Sequence, residues 1–222
     1  LPEFDAMMET VQNNPHHCYT VGEHTIKALA EIPADKVLRL AMLFHDVAKP
    51  LCRSVDEAGC DHFYNHPVRG SEMTRAILRR LKFDNDTIGK VCALVRWHDD
   101  NPKLSPGAVR RAMNRVGAER YPGLFAVKRA DVAAQSSYKR EEKTAYIDCY
   151  EAVYREIMEK QQCFTVKQLA VTGSDLIAAG MKPGKEIGEM LKLLLDEVLE
   201  QPELNTKETL LKLVHNLRTP LI

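Results

Sequence analysis

The chain has 222 residues, with 31 Lys and Arg balancing 31 Asp and Glu for a formal net charge of zero. That balance gives no global basic field for nucleic-acid binding, so any such surface must come from local clusters; the length suffices for one large or two small domains with a substantial core. No apolar run approaches the roughly 20 residues that span a bilayer, and the N-terminus lacks the basic-then-apolar layout of a secretory signal.

The opening Leu1-Pro2-Glu3-Phe4-Asp5 reads like the interior of a longer chain, and a fragment or processed product is expected. The six cysteines form no C-x-x-C pair and mostly sit in apolar helical surroundings, as expected of a reduced cytoplasmic protein. Residues 20–31 carry apolar side chains at helical spacing, and 34–46 repeat the pattern through Val37, Leu38, Leu40, Ala41, Leu43 and Phe44. The second helix runs into His45-Asp46-Val47-Ala48-Lys49-Pro50. Adjacent helical side chains point about 100° apart, so His45 and Asp46 converge on one point only where the helix ends, and Ala-Lys-Pro supplies the end.

Residues 51–64 change character. Cys52-Arg53-Ser54-Val55 and Cys60-Asp61-His62-Phe63-Tyr64 flank Asp56-Glu57-Ala58-Gly59, which predicts a short hairpin or ordered loop beside the His-Asp pair. Helical patterns resume over 67–81 and 86–98, and Ser105-Pro106 starts another, with Pro suited to a first turn. Tyr121-Pro122-Gly123 is expected to break the chain before a helix over 124–135, and a charged helix follows over about 139–161. Beyond Phe164, Gly173, Gly180, Gly184 and Gly188 punctuate short helices before a longer one over 185–200. Asn205-Thr206-Lys207-Glu208 resembles the start of a last helix. The expected fold is all-α, a helical bundle with a hairpin or loop insertion and a helical C-terminal extension.

Imidazole nitrogen and carboxylate oxygen together suit divalent transition metals. His24, His45, Asp46 and Asp131, each in a predicted helical context, are the first candidates; His66 and His98 join them. The order H, then HD, then D on separate helices resembles the HD-domain phosphohydrolase superfamily. The resemblance implies one or two divalent ions held by His24, His45, Asp46 and Asp131. His66 and His98 look like the additional histidines of its two-metal members. A second ion bridged through Asp46 would clamp phosphoryl oxygens and activate water; alternatively, His66 and His98 contact substrate phosphate around one ion. Asp46, Lys49, His66 and His98 are thus the expected catalytic residues, with Lys49 neutralising phosphate charge. His17 lies seven residues before His24 and would stand behind it on the same helical face if the helix extended that far. His16, His62 and His215 are read as surface residues, and nothing in the sequence forces Asp99 or Asp100 into the site. The ion is open among Mn, Fe, Co, Ni, Mg and Zn.

Gly70-Ser71 followed by Asp84-Asn85-Asp86 formally meets the G-S…D-x-D signature of nucleotide transfer. That chemistry needs two carboxylates on one strand face, whereas residues 72–83 read as an amphipathic helix and Asp84 as the cap of the next. The signature is therefore a decoy.

Longer stretches resemble the part of bacterial tRNA nucleotidyltransferases (CCA-adding enzymes) and related poly(A) polymerases that follows their catalytic head. They are Leu1-Pro2-Glu3-Phe4, Asn14-Pro15-His16-His17, Arg80-Leu81-Lys82-Phe83, Val109 to Arg115, and above all the tail: Val171 to Leu176, Lys182-Pro183-Gly184, Ile187-Gly188 and Asn205-Thr206. The resemblance implies an HD phosphohydrolase domain over 1–160 and an extension of the tRNA nucleotidyltransferase type over 161–222. The polymerising head has no counterpart, so this chain alone is not expected to add nucleotides.

Three functions follow as expectations. The first is a metal-dependent phosphohydrolase or phosphodiesterase acting on nucleotide or RNA-end phosphates. The second is a non-catalytic tRNA-binding body with a structural or vestigial metal. The third, a stand-alone HD nucleotide hydrolase, leaves the tail unexplained. Arg110, Arg111 and Arg115, with Arg120, form one local basic run for phosphates or RNA; Arg79, Arg80 and Lys82 form another.

Overall fold

A computed structural model describes residues 1–218. Among the described residues the chain is all-α apart from one hairpin, as expected, and its contacts divide it into two compact units: residues 1–101 with 118–149, and residues 102–117 with 150–218.

The first unit contains α1 (Pro2–Glu9), α2 (Val21–Glu31), α3 (Lys36–Phe44), the single turn α4 (Lys49–Cys52), strands β1 (Arg53–Val55) and β2 (Asp61–Phe63), then α5 (His66–Arg80) and α6 (Asn85–Trp97). After an interval given to the other unit, it resumes with α8 (Tyr121–Ala134) and the first half of α9 (Arg140–Glu159). Its helices start where short polar side chains take up orphan amides. Thr20 Oγ1 accepts from Glu23 N at 3.2 Å while the Glu23 carboxylate accepts from Thr20 N at 2.9 Å. Asp35 accepts from Val37 N and Leu38 N, and Asp84 from Thr87 N. Helices α2, α3 and α8 pack together, as do α5 and α6, over a core that includes Val21, Met42, Phe44, Leu78, Val91 and Leu124. Full burial of each such aliphatic side chain contributes about 1.5–3 kcal/mol.

The hairpin is antiparallel, with Ser54 opposite His62. Buried Asp61 fastens it: its carboxylate accepts from Arg53 Nε at 2.9 Å and from Asn13 N at 2.7 Å.

The second unit joins α7 (Pro106–Val116) to the second half of α9, α10 (Gly173–Ala178), α11 (Lys185–Glu200) and α12 (Lys207–Arg218). Leu176, Leu194, Val198, Leu210 and Val214 form its core. The docking of α7 on α11 is close: a Cβ on Gly107 would stand 2.7 Å from Glu200 Oε2.

Three features of the fold go beyond or against the sequence pattern. Residues 2–9 form a helix that the sequence pattern did not announce. Tyr121-Pro122-Gly123 does not break the chain but forms the first turn of α8, where proline sacrifices no intrahelical hydrogen bond. Gly123 has a reason in packing, since a Cβ there would lie 3.3 Å from Leu38 Cδ2. Finally, α2 does not extend back to His17, because Thr20 caps it; His17 stands in the preceding loop. The G-S…D-x-D decoy resolves as read: Ser71 Oγ donates to Cys92 O from within α5, and Asp84 caps α6.

Candidate metal centre

Three histidines sit at element boundaries, and the boundary aims each ring. His45 is the C-cap of α3, His98 the C-cap of α6, and His66 the first residue of α5 just after β2. Carbonyls in the last turn of a helix lack intrahelical donors. His45 Nδ1 lies 2.8 Å from Met42 O and His98 Nδ1 2.8 Å from Val95 O; His66 Nδ1 likewise lies 2.7 Å from Phe63 O. In all three the carbonyl is three residues back. A carbonyl only accepts, so each Nδ1 carries the proton and each Nε2 turns a lone pair the other way, the arrangement that orients metal-binding imidazoles.

Those Nε2 atoms converge on Asp46. His45 Nε2 is 3.1 Å from Asp46 Oδ2; His66 and His98 Nε2 are 3.3 and 3.7 Å from Oδ1. Helix α8 brings Asp131 to the other side, its Oδ1 at 2.9 Å from His24 Nε2 and 3.8 Å from His45 Nε2. All six expected ligands thus gather in the first unit, and two overlapping triads emerge: His24, His45 and Asp46, and Asp46, His66 and His98.

The donor set fits a divalent cation. Two ligand atoms each about 2.1 Å from an ion and about 90–110° apart are separated by about 3.0–3.4 Å, close to the spacings found here. His66 Nε2 and His98 Nε2 face each other at 3.2 Å. Two imidazole lone pairs repel at that distance unless a proton or cation lies between them. His45 Nε2 is buried without a hydrogen bond, since the nearby Asp46 oxygen is poorly aligned. His24 meets acceptors at both ring nitrogens, Ala134 O at 3.4 Å and the Asp131 carboxylate at 2.9 Å. An ion between imidazole and carboxylate satisfies both groups.

Electrostatics keep both carboxylates and His98 in binding form, while burial of His45 is outweighed by Asp46 and Asp131, which raise its pKa. Burial opposes charge on Asp46, but His45 and Lys49 outweigh it and hold the carboxyl well below its ordinary range. Burial likewise opposes charge on Asp131, where the His24 hydrogen bond prevails and lowers the carboxyl. Burial pushes His98 down to about 3, so its ring is neutral at physiological pH.

The surroundings of the centre form a cavity of about 930 Å³ reached by the hairpin, α8 and the start of α9. Lys49 lies on its wall, but its charge is already engaged: Nζ is 2.7 Å from Asp46 Oδ2 and donates to Gln12 Oε1 at 2.8 Å. It acts on Asp46, orienting and stabilising the carboxylate. His17 packs edge-on against the His24 ring at 5.1 Å, and burial drives its pKa down to about 3. His16, His62 and Asp99, all at least partly exposed, also line the cavity. His62 pairs with Asp56 at 2.8 Å.

Sequence reasoning missed Lys128, Asn101 and Gln135. Lys128 and Gln135 lie one turn on either side of Asp131 along α8, a spacing that marks them as its neighbours once Asp131 is placed at a site. Gln135 Nε2 donates to Asp131 Oδ2 at 3.1 Å.

The arginine cluster divides. Arg110 is corrected from a phosphate-binding to a structural residue: it is 3% exposed, and its guanidinium donates to Leu199 O, Glu200 O and Gln162 Oε1. Neighbouring Arg111 pairs with Glu200, and Arg115 is exposed. In the other basic run, Arg80 is bound bidentately by Glu3. Among the described residues no helix is long and apolar enough to cross a membrane.

Comparison with known proteins places this architecture. Residues 68–214 match the family described as tRNA nucleotidyltransferase domain 2, putative. The CC-adding tRNA nucleotidyltransferase of Thermus thermophilus is 32% identical over 215 residues, covering 94% of this chain and 47% of the relative. The A-adding tRNA nucleotidyltransferase of Deinococcus radiodurans is 30% identical over 205 residues, covering 88% and 46%. A multifunctional CCA protein of Nitrosococcus oceani is 26% identical over 202 residues, covering 86% and 46%. The chain therefore spans about half the length of these relatives. It belongs to the tRNA nucleotidyltransferase family.

Proposed function

We propose that this chain is a metal-dependent phosphohydrolase or phosphodiesterase of the HD type, acting on nucleotide or RNA-end phosphates. Residues 1–160 carry that domain and residues 161–222 the family's helical extension. One observation carries the reading: His45, His66 and His98 each donate Nδ1 to the carbonyl three residues back and turn Nε2 toward a single buried aspartate, Asp46. The four imidazoles and Asp46 are buried and Asp131 is half-buried, and removing such groups from water is costly unless each is paired.

His24, His45, Asp46 and Asp131 hold one ion; His66 and His98 with Asp46 hold a second. A divalent ion bound there supplies Lewis acidity toward a phosphoryl oxygen and toward water. Asp46 belongs to both triads, so its carboxylate fixes their spacing. Lys49 and Gln12 keep that carboxylate in place, and Gln135 does the same for Asp131. The cavity beside the centre admits a phosphoester with a nucleoside attached, since small-ligand sites of this kind run to about 300–1,000 Å³.

The names of the relatives bring tRNA forward as the macromolecule that presents such an end, with this chain as the body that follows a nucleotidyltransferase head. Of the first basic run, Arg111, Arg115 and Arg120 are exposed, with Arg111 beside Glu200.

The test is the double variant His45→Ala, Asp46→Ala against a panel of cyclic and linear phosphoesters with Mn²⁺, Ni²⁺, Co²⁺ and Mg²⁺. Wild-type protein turns over at least one of them, and the variant loses at least about 100-fold in rate with helicity retained. Undiminished hydrolysis in a folded variant removes the proposal.

A further inference from the structure

Two lysines are buried on the wall of the cavity, and they are in different situations. Lys49 is ion-paired with Asp46, donates to Gln12 and lies over the Phe63 ring. Lys128 is 5% exposed, and its Nζ makes one hydrogen bond, to Asn101 Oδ1 at 2.9 Å. Among the described residues no carboxylate stands within 4.0 Å of it, although Asp99, Asp100 and Asp131 act on it through space. An ammonium has three N–H donors, so two remain for a ligand. Burying such a group without a directly paired counter-ion is costly, and an arriving anion offsets that cost.

Its placement indicates where that anion sits. Lys128 and Asp131 are three residues apart on α8, hence on one face and about 4.5 Å apart along the helix axis. The ammonium is also held in a defined direction. Asn101 Nδ2 donates to Asp99 O at 3.1 Å and to Asp99 Oδ1 at 3.2 Å, which turns Asn101 Oδ1 toward the lysine. Asp99 follows the candidate ligand His98, so the chain Asp99, Asn101, Lys128 ties the cation to the metal centre. Burial lowers the Lys128 pKa to about 8, which leaves it charged at neutral pH.

We propose that Lys128, positioned by Asn101, is the substrate-recognition cation of this site and binds a phosphate oxygen of the phosphoester that the metal centre does not take. The inference rests on the phosphohydrolase reading, and it assigns to Lys128 the role that the sequence suggested for Lys49.

The experiment uses calorimetry on the full chain, first titrated with Mn²⁺ and then with inorganic phosphate. Wild-type protein binds both. Lys128→Met, close in volume and uncharged, binds Mn²⁺ within about threefold of wild type and phosphate at least tenfold more weakly. Its melting temperature is equal or higher, since a buried charge has been removed. Asn101→Ala, which leaves the lysine in place but unguided, weakens phosphate binding to a smaller degree, and it carries the test should the methionine variant fail to fold. Equal phosphate affinity in wild type and in a folded variant overturns the subsite while leaving the metal centre standing. Absence of Mn²⁺ binding to the wild type overturns the underlying reading and the subsite with it.

Discussion

Gly22 shows how one missing side chain positions a candidate ligand. A Cβ at this residue of α2 would run into the Met8 sulfur and stand 2.9 Å from Met8 Cα. A side chain can swing aside, but backbone in an adjacent helix cannot. Gly22→Ala should therefore lose about 1–3 kcal/mol through overpacking, more than the roughly 1 kcal/mol that helix propensity returns. Because His24 is the second residue beyond, the displaced α2 should also weaken Mn²⁺ binding. Urea unfolding and a metal titration check both, and an unchanged unfolding midpoint would mean that α1 yields freely. The candidate ligands themselves were legible from the sequence because His24, His45-Asp46 and Asp131 form an ordered pattern of chemically special residues. Lys128 was not legible, since a lysine on a helix is ordinarily solvated, and only the fold reveals that this one is enclosed.

Helix boundaries in this chain rest on short polar side chains, and one of them gives a pH signature. Asp84 caps α6, accepting from Thr87 N at 2.8 Å and Thr87 Oγ1 at 2.7 Å, and these bonds hold its pKa down at about 2 against an ordinary 3.8. A carboxyl depressed in the folded state stabilises above its unfolded pKa and loses that contribution as pH falls through the folded one. The penalty of Asp84→Ala should be fully present at pH 7 and should shrink between about pH 4 and pH 2, as read from melting temperatures across that range. A penalty independent of pH would show that packing, not the charged cap, makes the difference. Caps of this kind were readable, as were the amphipathic periods of α3, α5, α6 and α11. The partner of α7 was not. Its apolar residues Val109, Ala112, Met113 and Val116 announce a buried face, but spacing along one helix does not say which distant helix covers it. Arg110 was misread for the same reason: its carbonyl acceptors lie on residues about 90 positions later in the chain.

At the scale of the molecule, every candidate ligand belongs to the first unit, although the sequence between His98 and Asp131 passes through the second. A ligand that binds only the folded state stabilises it by RT ln(1 + [L]/Kd), about 2.7 kcal/mol at a hundredfold excess over Kd. That stabilisation is delivered to the elements carrying the ligands. Saturating Mn²⁺ should slow amide hydrogen exchange in α2, in the turn after α3 and in α8, while exchange in the α11 core around Leu194 and Val198 stays within about twofold of the metal-free protein. Chelation should reverse the protection in the same places. Protection spread evenly over both units would mean that they open as a single cooperative block, and protection absent from α8 would remove Asp131 from the centre while leaving the histidine cluster on Asp46 intact.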